Sequence, residues 1–273
     1  MKLTVNSVYR LPRAGAVVRI AASDAMAFRV PKVVQVAHWL AAQDMPAVRL
    51  FPGVPAPVRA GGALATIWCD ASPTTTPPST TQPPSSADLG RMLRRLHSLT
   101  PPLPALPRWD PLDDVRRRMS DAEALPPADR AFLANLTERV AADLRTVDYQ
   151  LPPTVIHGDA HLGNLIRTPS GGVVVCDFDA MSIGPPEWDL TPVAVGTARF
   201  GYPSWWQPLL AASYGFDVTR WDGFPVLRAV RELKLVTSVL PILASNPTAA
   251  AQFRVRLDSL RSGDTTVRWS PYR

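Results

Sequence analysis

The stretch TVIHGDAHLGNLIRTPSGGVVVCDFD at 154–179 constrains the fold more than any other part of this chain. Short β-forming runs at 154–156, 165–168 and 173–176 alternate with turn residues, and 169–172 (PSGG) is suited to close the last two into a hairpin. His157, Asp159, His161 and Asn164 crowd the loop before that hairpin, and Asp177 and Asp179 follow it. Antiparallel pairing sets the start of one strand beside the end of the next, so Asn164 and Asp177 become neighbours in space. An amide oxygen beside a carboxylate suits a hard cation such as Mg²⁺, which takes oxygen ligands and completes its shell with water and phosphate oxygens. Asp159 lies on the loop, where it faces such a site without ligating it, the position of a base that aligns an incoming hydroxyl.

Composition narrows the setting. The chain has 273 residues, is 46% hydrophobic and 19% charged, and so has enough apolar material for one or two globular domains. Two cysteines, Cys69 and Cys176, make neither a disulfide framework nor a CxxC metal pair. No apolar run has the length of a signal sequence or a membrane span, so a reducing cytoplasm is expected. Only three of the 29 basic residues are lysine. Residues 1–60 carry eight basic groups against two acidic ones, and the other 21 basic and 21 acidic groups cancel. A basic N-terminal segment can meet nucleic acid, a membrane surface or a small polyphosphate. Its arginines are spread along apparent strands with no nucleic-acid signature, which points to the polyphosphate, with neither nucleic acid nor membrane as partner.

The spacing predicts a hairpin from 3–11 and 16–20, a helix over 32–43 with Val33, Val36, Ala37 and Leu40 on one side, and strands at 48–51 and 63–68. This is a small, mostly antiparallel lobe. Residues 71–86 (ASPTTTPPSTTQPPSS) have nothing to bury and read as an extended tether. An amphipathic helix over 88–99 follows, then another over 128–147. The chain from 189 onward reads as helices broken at 201–203 and 215–217, with no internal repeat. The fold expected is α+β, a small β lobe beside a larger, mainly helical lobe that carries the hairpin.

HGDAHLGN followed by CDFD resembles the catalytic loop and metal-binding segment of the aminoglycoside phosphotransferase family, small-molecule kinases with a protein-kinase-like bilobal fold. NSVYRL, VVRIA, AHWLAAQDMPAVRL, ATIWCD, LGRMLRRLH and GPPEWDL resemble, in order, its first strands, first helix and following strand, inter-lobe hinge, first helix after the hinge, and the segment after the metal aspartate. The resemblance implies a nucleotide lobe at 1–68, a hinge and loop at 69–87, and a catalytic and acceptor lobe at 88–273. It implies Asp159 as base, with Asn164 and Asp177 holding Mg²⁺ against the phosphates of ATP or GTP. Asp179 is a second metal ligand or a strand-end cap. Arg19 stands where the family has a phosphate-binding lysine, Asn6 and Ser7 form the phosphate-covering turn, and Trp68, Cys69 and Asp70 lie at the hinge beside the purine. His157 and His161 brace the loop, and Asp189 braces it or caps a helix. Trp205, Trp206, Tyr214, Trp221 and Glu232 fall in the region that builds the acceptor pocket. The partners implied are a nucleoside triphosphate and a small hydroxylated acceptor, an antibiotic or a metabolite, with antibiotic resistance as one setting.

Two departures stand out. Arg19 replaces the usual lysine, and Val33 occupies the place of its glutamate partner; no glutamate precedes Glu123. A guanidinium is permanently charged and binds phosphate bidentately, so Arg19 can still neutralise it. Two other functions compete with the kinase. One is a nucleotide-binding pseudokinase that lost transfer with its lysine–glutamate pair. The other is a metallohydrolase with His157, Asp159, His161 and Asp177 as ligands. Metal use separates them: a kinase needs Mg²⁺ with nucleotide, a hydrolase binds zinc or manganese alone.

Overall fold

A computed structural model describes residues 6–21, 27–72, 82–102, 106–122 and 124–272. Residues 3–5 of the predicted first strand and most of the predicted tether lie outside them. Strands β1 (Ser7–Leu11) and β2 (Ala16–Ile20) form the expected hairpin, closed by Gly15 in the left-handed conformation (φ 59°). With β3 (Val58–Ala60) and β4 (Ala63–Cys69) they make an antiparallel sheet of order β1-β2-β4-β3. Helix α1 (Val30–Ala42) buries Val33, Val36, Ala37 and Leu40.

The strand expected at 48–51 is not one. Val48 N–H bonds to Val175 O and Val175 N–H to Pro46 O, while Phe51 N–H bonds to Ile67 O and Cys69 N–H to Arg49 O. The segment divides its backbone partners between the β4 sheet and the later hairpin, and neither half is long enough for a ladder. It stitches the two lobes together.

The larger lobe opens with α2 (Ser86–His97). Ser85 and Asp88 form a reciprocal capping box, and Leu89, Met92, Leu93 and Leu96 are buried. Helix α3 (Asp113–Ser120) has no predicted counterpart: Val115 is its only buried residue, so no apolar stripe marks it. Helix α4 spans Pro127–Leu144. Strand β5 (Thr154–Ile156) pairs with β8 (Ser182–Gly184), and β6 (Leu165–Arg167) with β7 (Val173–Val175). Four helices finish the chain: α5 (Pro186–Phe200), α6 (Trp206–Tyr214), α7 (Phe224–Thr237) and α8 (Pro247–Ser262). Gly201 and Gly215 end α5 and α6 with positive φ, at the two predicted breaks. None of the described helices is long and apolar enough to cross a membrane.

One core crosses both lobes, joining Val36, Leu40 and Trp68 to Leu93, Val175 and Phe178. A second lies among α3, α4, α7, α8 and Trp188. Helix α2 sits close against α6 because position 90 is glycine: a Cβ there would lie 2.7 Å from Leu210 O and 2.9 Å from Ser213 Cβ. Gly90→Ala is expected to destabilise the protein by about 1–3 kcal/mol through this overpacking, read as a lower urea midpoint at an unchanged m-value.

Candidate active site

The loop between β5 and β6 takes its shape from three consecutive residues at the start of α5. Asp189, fully buried, accepts the backbone N–H of His157 at 2.6 Å on Oδ2 and that of Gly158 at 2.8 Å on Oδ1. His97 Nε2 donates to the same carboxylate at 3.1 Å, with its Nδ1 2.8 Å from the Tyr214 hydroxyl. Trp188 Nε1 donates to Gly158 O at 2.8 Å, and Glu187 Oε1 accepts from Gln150 and Leu151 N–H. Gly158 has φ 83°, and a Cβ there would fall 2.2 Å from Ala180 O, so only glycine fits.

Inside the loop His157 engages both ring nitrogens: Nε2 donates to Cys176 O at 2.9 Å, and Nδ1 accepts from Asp159 N–H at 3.4 Å. His161 Nδ1 accepts from Gly163 N–H, capping a short helical turn at Leu162–Asn164. Burial lowers its pKa. Buried Asn164 donates its amide nitrogen to Asp159 O at 2.9 Å, which leaves the amide oxygen as the group for a cation. Cys176 N–H bonds to Asn164 O, joining the ends of the hairpin as the spacing requires.

Asp177 follows β7 in a left-handed conformation (φ 66°) that is uncommon outside glycine. Burial, then the neighbouring Asp179 carboxyl, pushes its pKa up to about 6. Asp179 is desolvated too, but Asp177 and Arg19 hold it below the usual carboxylate range. Arg19, on β2 of the other lobe, reaches Asp177 Oδ1 at 3.2 Å and also pairs with Asp179. Asn6, with its amide oxygen turned inward, accepts from Arg19 Nε at 3.1 Å. Lys32 of α1 donates to Asp179 O at 2.5 Å and Met181 O at 3.0 Å, and burial lowers its pKa to about 8. Two carboxylates, one amide oxygen and a neighbouring guanidinium suit a hard divalent cation bridged to phosphate. Among the described residues no three His, Cys, Asp or Glu side chains gather as a metal site of their own.

Asp159 is half-exposed, and Arg231 of α7 donates to its Oδ1 at 2.6 Å. Burial opposes its charge, but Arg231 and His161 outweigh that and hold the carboxyl well below the ordinary range. His161 Nε2 stands 3.8 Å from Oδ2.

The remaining predicted residues divide. Ser7 pairs with Ile20 at the end of the first ladder. Trp68 is buried, donates to Thr66 Oγ1 and meets Phe178 edge-on at 5.8 Å. The backbone N–H groups of Cys69 and Asp70 are engaged by Arg49 O and Gly15 O, and Asp70 pairs with Arg10. The five residues expected around the acceptor do not gather at Asp159. Trp205 is 64% exposed, Trp206 packs against Tyr202 with the rings tilted by 51°, and Tyr214 hydrogen-bonds His97. Trp221 donates to Asp148 O, and Glu232 is buried between Arg199 and Arg228. The α7 residue that reaches Asp159 is Arg231; the run RELK at 231–234 shows only that Arg231 and Lys234 share one face of the helix.

Asp189→Asn is expected to place an amide N–H against a backbone N–H inside a buried site. A stability loss of about 1–3 kcal/mol, read by denaturant titration, is the expected outcome.

Comparison with known proteins agrees with this fold. A family model described as the phosphotransferase enzyme family matches residues 5–233. The fold is similar to choline kinase LicA from Streptococcus pneumoniae at 15% identity and TM-score 0.65, covering 94% of this chain and 90% of that one. It is also similar to amicoumacin kinase hAmiN, solved with AMP-PNP, Ca²⁺ and its antibiotic, at 11% identity and TM-score 0.66, covering 99% and 89%. The aminoglycoside phosphotransferase APH(3″)-Id from Streptomyces rimosus matches at 19% identity and TM-score 0.58, covering 84% and 89%. The bilobal α+β architecture and the match over most of its length place this chain in the aminoglycoside-phosphotransferase-like phosphotransferase enzyme family.

Proposed function

We propose that the protein moves the γ-phosphoryl group of ATP or GTP to a hydroxyl of a small molecule. The observation that carries this reading is the convergence of Arg19, from one lobe, on Asp177 and Asp179, from the other, one loop away from Asp159. Unlike charges drawn together across a cleft, with a raised carboxyl among them, match what a metal–triphosphate complex would replace: the cation takes the carboxylates and the phosphates take the guanidinium.

In this reading Asn164 and Asp177 hold Mg²⁺, with Asp179 beside them. When bound, the cation neutralises charge on the phosphates. Arg19 holds phosphate oxygens and Asn6 orients it, with Ser7 beside the same turn. Trp68 and Phe178 give the purine an apolar wall, bordered by Cys69 and Asp70. Asp159 accepts the acceptor's hydroxyl proton as its oxygen approaches phosphorus, and the Asp189 brace keeps Asp159 in place. Phosphoryl transfer of this kind is governed by positioning and charge neutralisation. A metallohydrolase at His157 lacks support, because both ring nitrogens are held within the loop.

Asp159→Ala is expected to abolish product formation while leaving nucleotide affinity within about twofold, measured by mass detection of phosphorylated acceptors and by nucleotide titration. Equal loss of both would make Asp159 structural. Arg19→Ala is expected to raise the nucleotide KM by about tenfold or more, as loss of one charge-assisted phosphate contact does; an unchanged KM would remove Arg19 from the site.

A further inference from the structure

Between α3 and α7, beside Asp159, lies a set of cations that the phosphoryl-transfer reading leaves unused. Arg231 holds Asp159 at 2.6 Å. Lys234, one turn further along α7, reaches Asp114 Oδ2 at 3.5 Å, and Arg118 Nη1 donates to Lys234 O at 3.3 Å. The Asp159 carboxylate acts electrostatically on both Arg118 and Lys234, which places all three basic groups within its field. Arg29, at the start of α1, closes over the same spot through Asp114 at 2.8 Å, and Arg117 pairs with Asp114 as well. The carboxylates facing the cluster are Asp114, Asp159 and, from the outer side of Arg117 at 3.4 Å, Asp113. Five cations therefore meet three carboxylates, one of which is the base itself. Lys32 and Arg19 add positive charge on the nucleotide side, where Asp177 and Asp179 balance it, and His161 is held toward its neutral form.

The cations are part-buried: the side chains of Arg231, Arg29 and Lys234 keep 12–17% of their exposure. Water therefore solvates them poorly, and each needs a partner. Arg231 is seated on Asp159 Oδ1, so a hydroxyl arriving at that oxygen competes with the guanidinium for it. A neutral acceptor that displaced Arg231 would strand its charge; a cationic one would add a sixth positive charge. An anionic group on the acceptor replaces the lost partner.

We propose that the acceptor is an anion, a hydroxylated small molecule whose carboxylate or phosphate takes Arg231, with Lys234 and Arg118 behind it, and so frees Asp159 to orient the hydroxyl. The step is otherwise that of the kinase reading, on which it rests. The acceptor oxygen bonds to the γ-phosphorus as the bond to the β–γ bridging oxygen breaks. The hydroxyl proton passes to Asp159 and then to water, and the nucleoside diphosphate leaves with the bridging oxygen and its electron pair.

Two matched series test it on the full chain with Mg²⁺ and ATP or GTP: gluconate, sorbitol 6-phosphate, sorbitol and glucamine, and glycerate, glycerol 3-phosphate, glycerol and serinol. An anionic member is expected to exceed its neutral and cationic counterparts in kcat/KM by about tenfold or more, and comparison of the acid with the phosphate identifies the anionic group. Arg231→Gln is expected to raise the KM for that anion about tenfold while narrowing its lead over the neutral analogue. Preference for glucamine or serinol, or a rise in the nucleotide KM alone in Arg231→Gln, would overturn the proposal. A second measurement needs no turnover. With ADP and Mg²⁺ filling the nucleotide site, millimolar malonate is expected to raise the melting temperature of the wild type and not of Arg231→Gln. If no acceptor is phosphorylated, the malonate shift still decides: its absence sinks the anion site. Failure of Mg²⁺-dependent nucleotide turnover with every acceptor counts against the kinase reading instead.

Discussion

A single buried carboxylate sets the geometry on which everything at this site depends. Asp189 takes two consecutive backbone N–H groups of the 157–158 loop, and inside the protein those donors have no water to turn to. Its place in the first turn of α5 lets the positive end of the helix offset its charge. Glu187 and Trp188 act beside it, one on the chain entering β5 and the other on Gly158 O, so the sequence EWD grips the loop from both sides. His97 and Tyr214 extend the grip to α2 and α6. Asp159 can lean outward toward the cleft because its two preceding residues are held from behind.

Legibility in the sequence followed periodicity and local spacing. The first hairpin, α1, α2 and the breaks at 201 and 215 rest on apolar stripes and on glycine or proline, and these are visible in one dimension. The loop and its hairpin were legible for the same reason, since a short turn leaves little choice of register. Where a feature depends on partners distant in the chain, the reading failed. Residues 48–51 look like a strand, yet the hydrogen bonds of this segment are divided between two sheets. Helix α3 buries one residue and so carries no stripe. Arg231 is 72 residues from Asp159, and no local pattern links them. The aromatics and Glu232 were drawn toward the acceptor by position alone, whereas packing and the Arg199 pair account for them.

The missing lysine–glutamate pair has a physical counterpart in the structure. Without an acid on α1, the helix contacts the 179–181 segment through Lys32, which donates to two backbone carbonyls rather than to a carboxylate. A carbonyl carries no full charge, so the ammonium's lost hydration is only partly compensated, and its pKa falls to about 8. Arg19 is accordingly free of any helix partner among these contacts and is positioned from the other side, by Asn6 and by the two aspartates. Arg19 is thus anchored by the aspartates of the 177–179 segment, and not by the helix.

Net charge conceals this kind of arrangement. Residues 61–273 balance basic against acidic groups, which suggests a surface without preference for ligand charge. In space the balance is local only in places. Asp129 is matched twice over by Arg254 and Arg261, and Glu232 by Arg199 and Arg228, while exposed Asp258 has Arg261 3.9 Å away. What is left between α3 and α7 is a part-buried excess of guanidinium and ammonium. Screening and hydration are weakest where groups are enclosed, so it is this excess, and not the neutral total, that an entering ligand encounters. A bilobal fold shared with kinases of antibiotics and of choline can thus present a positive wall here, because the side chains beside the loop change without disturbing the carboxylate that holds it.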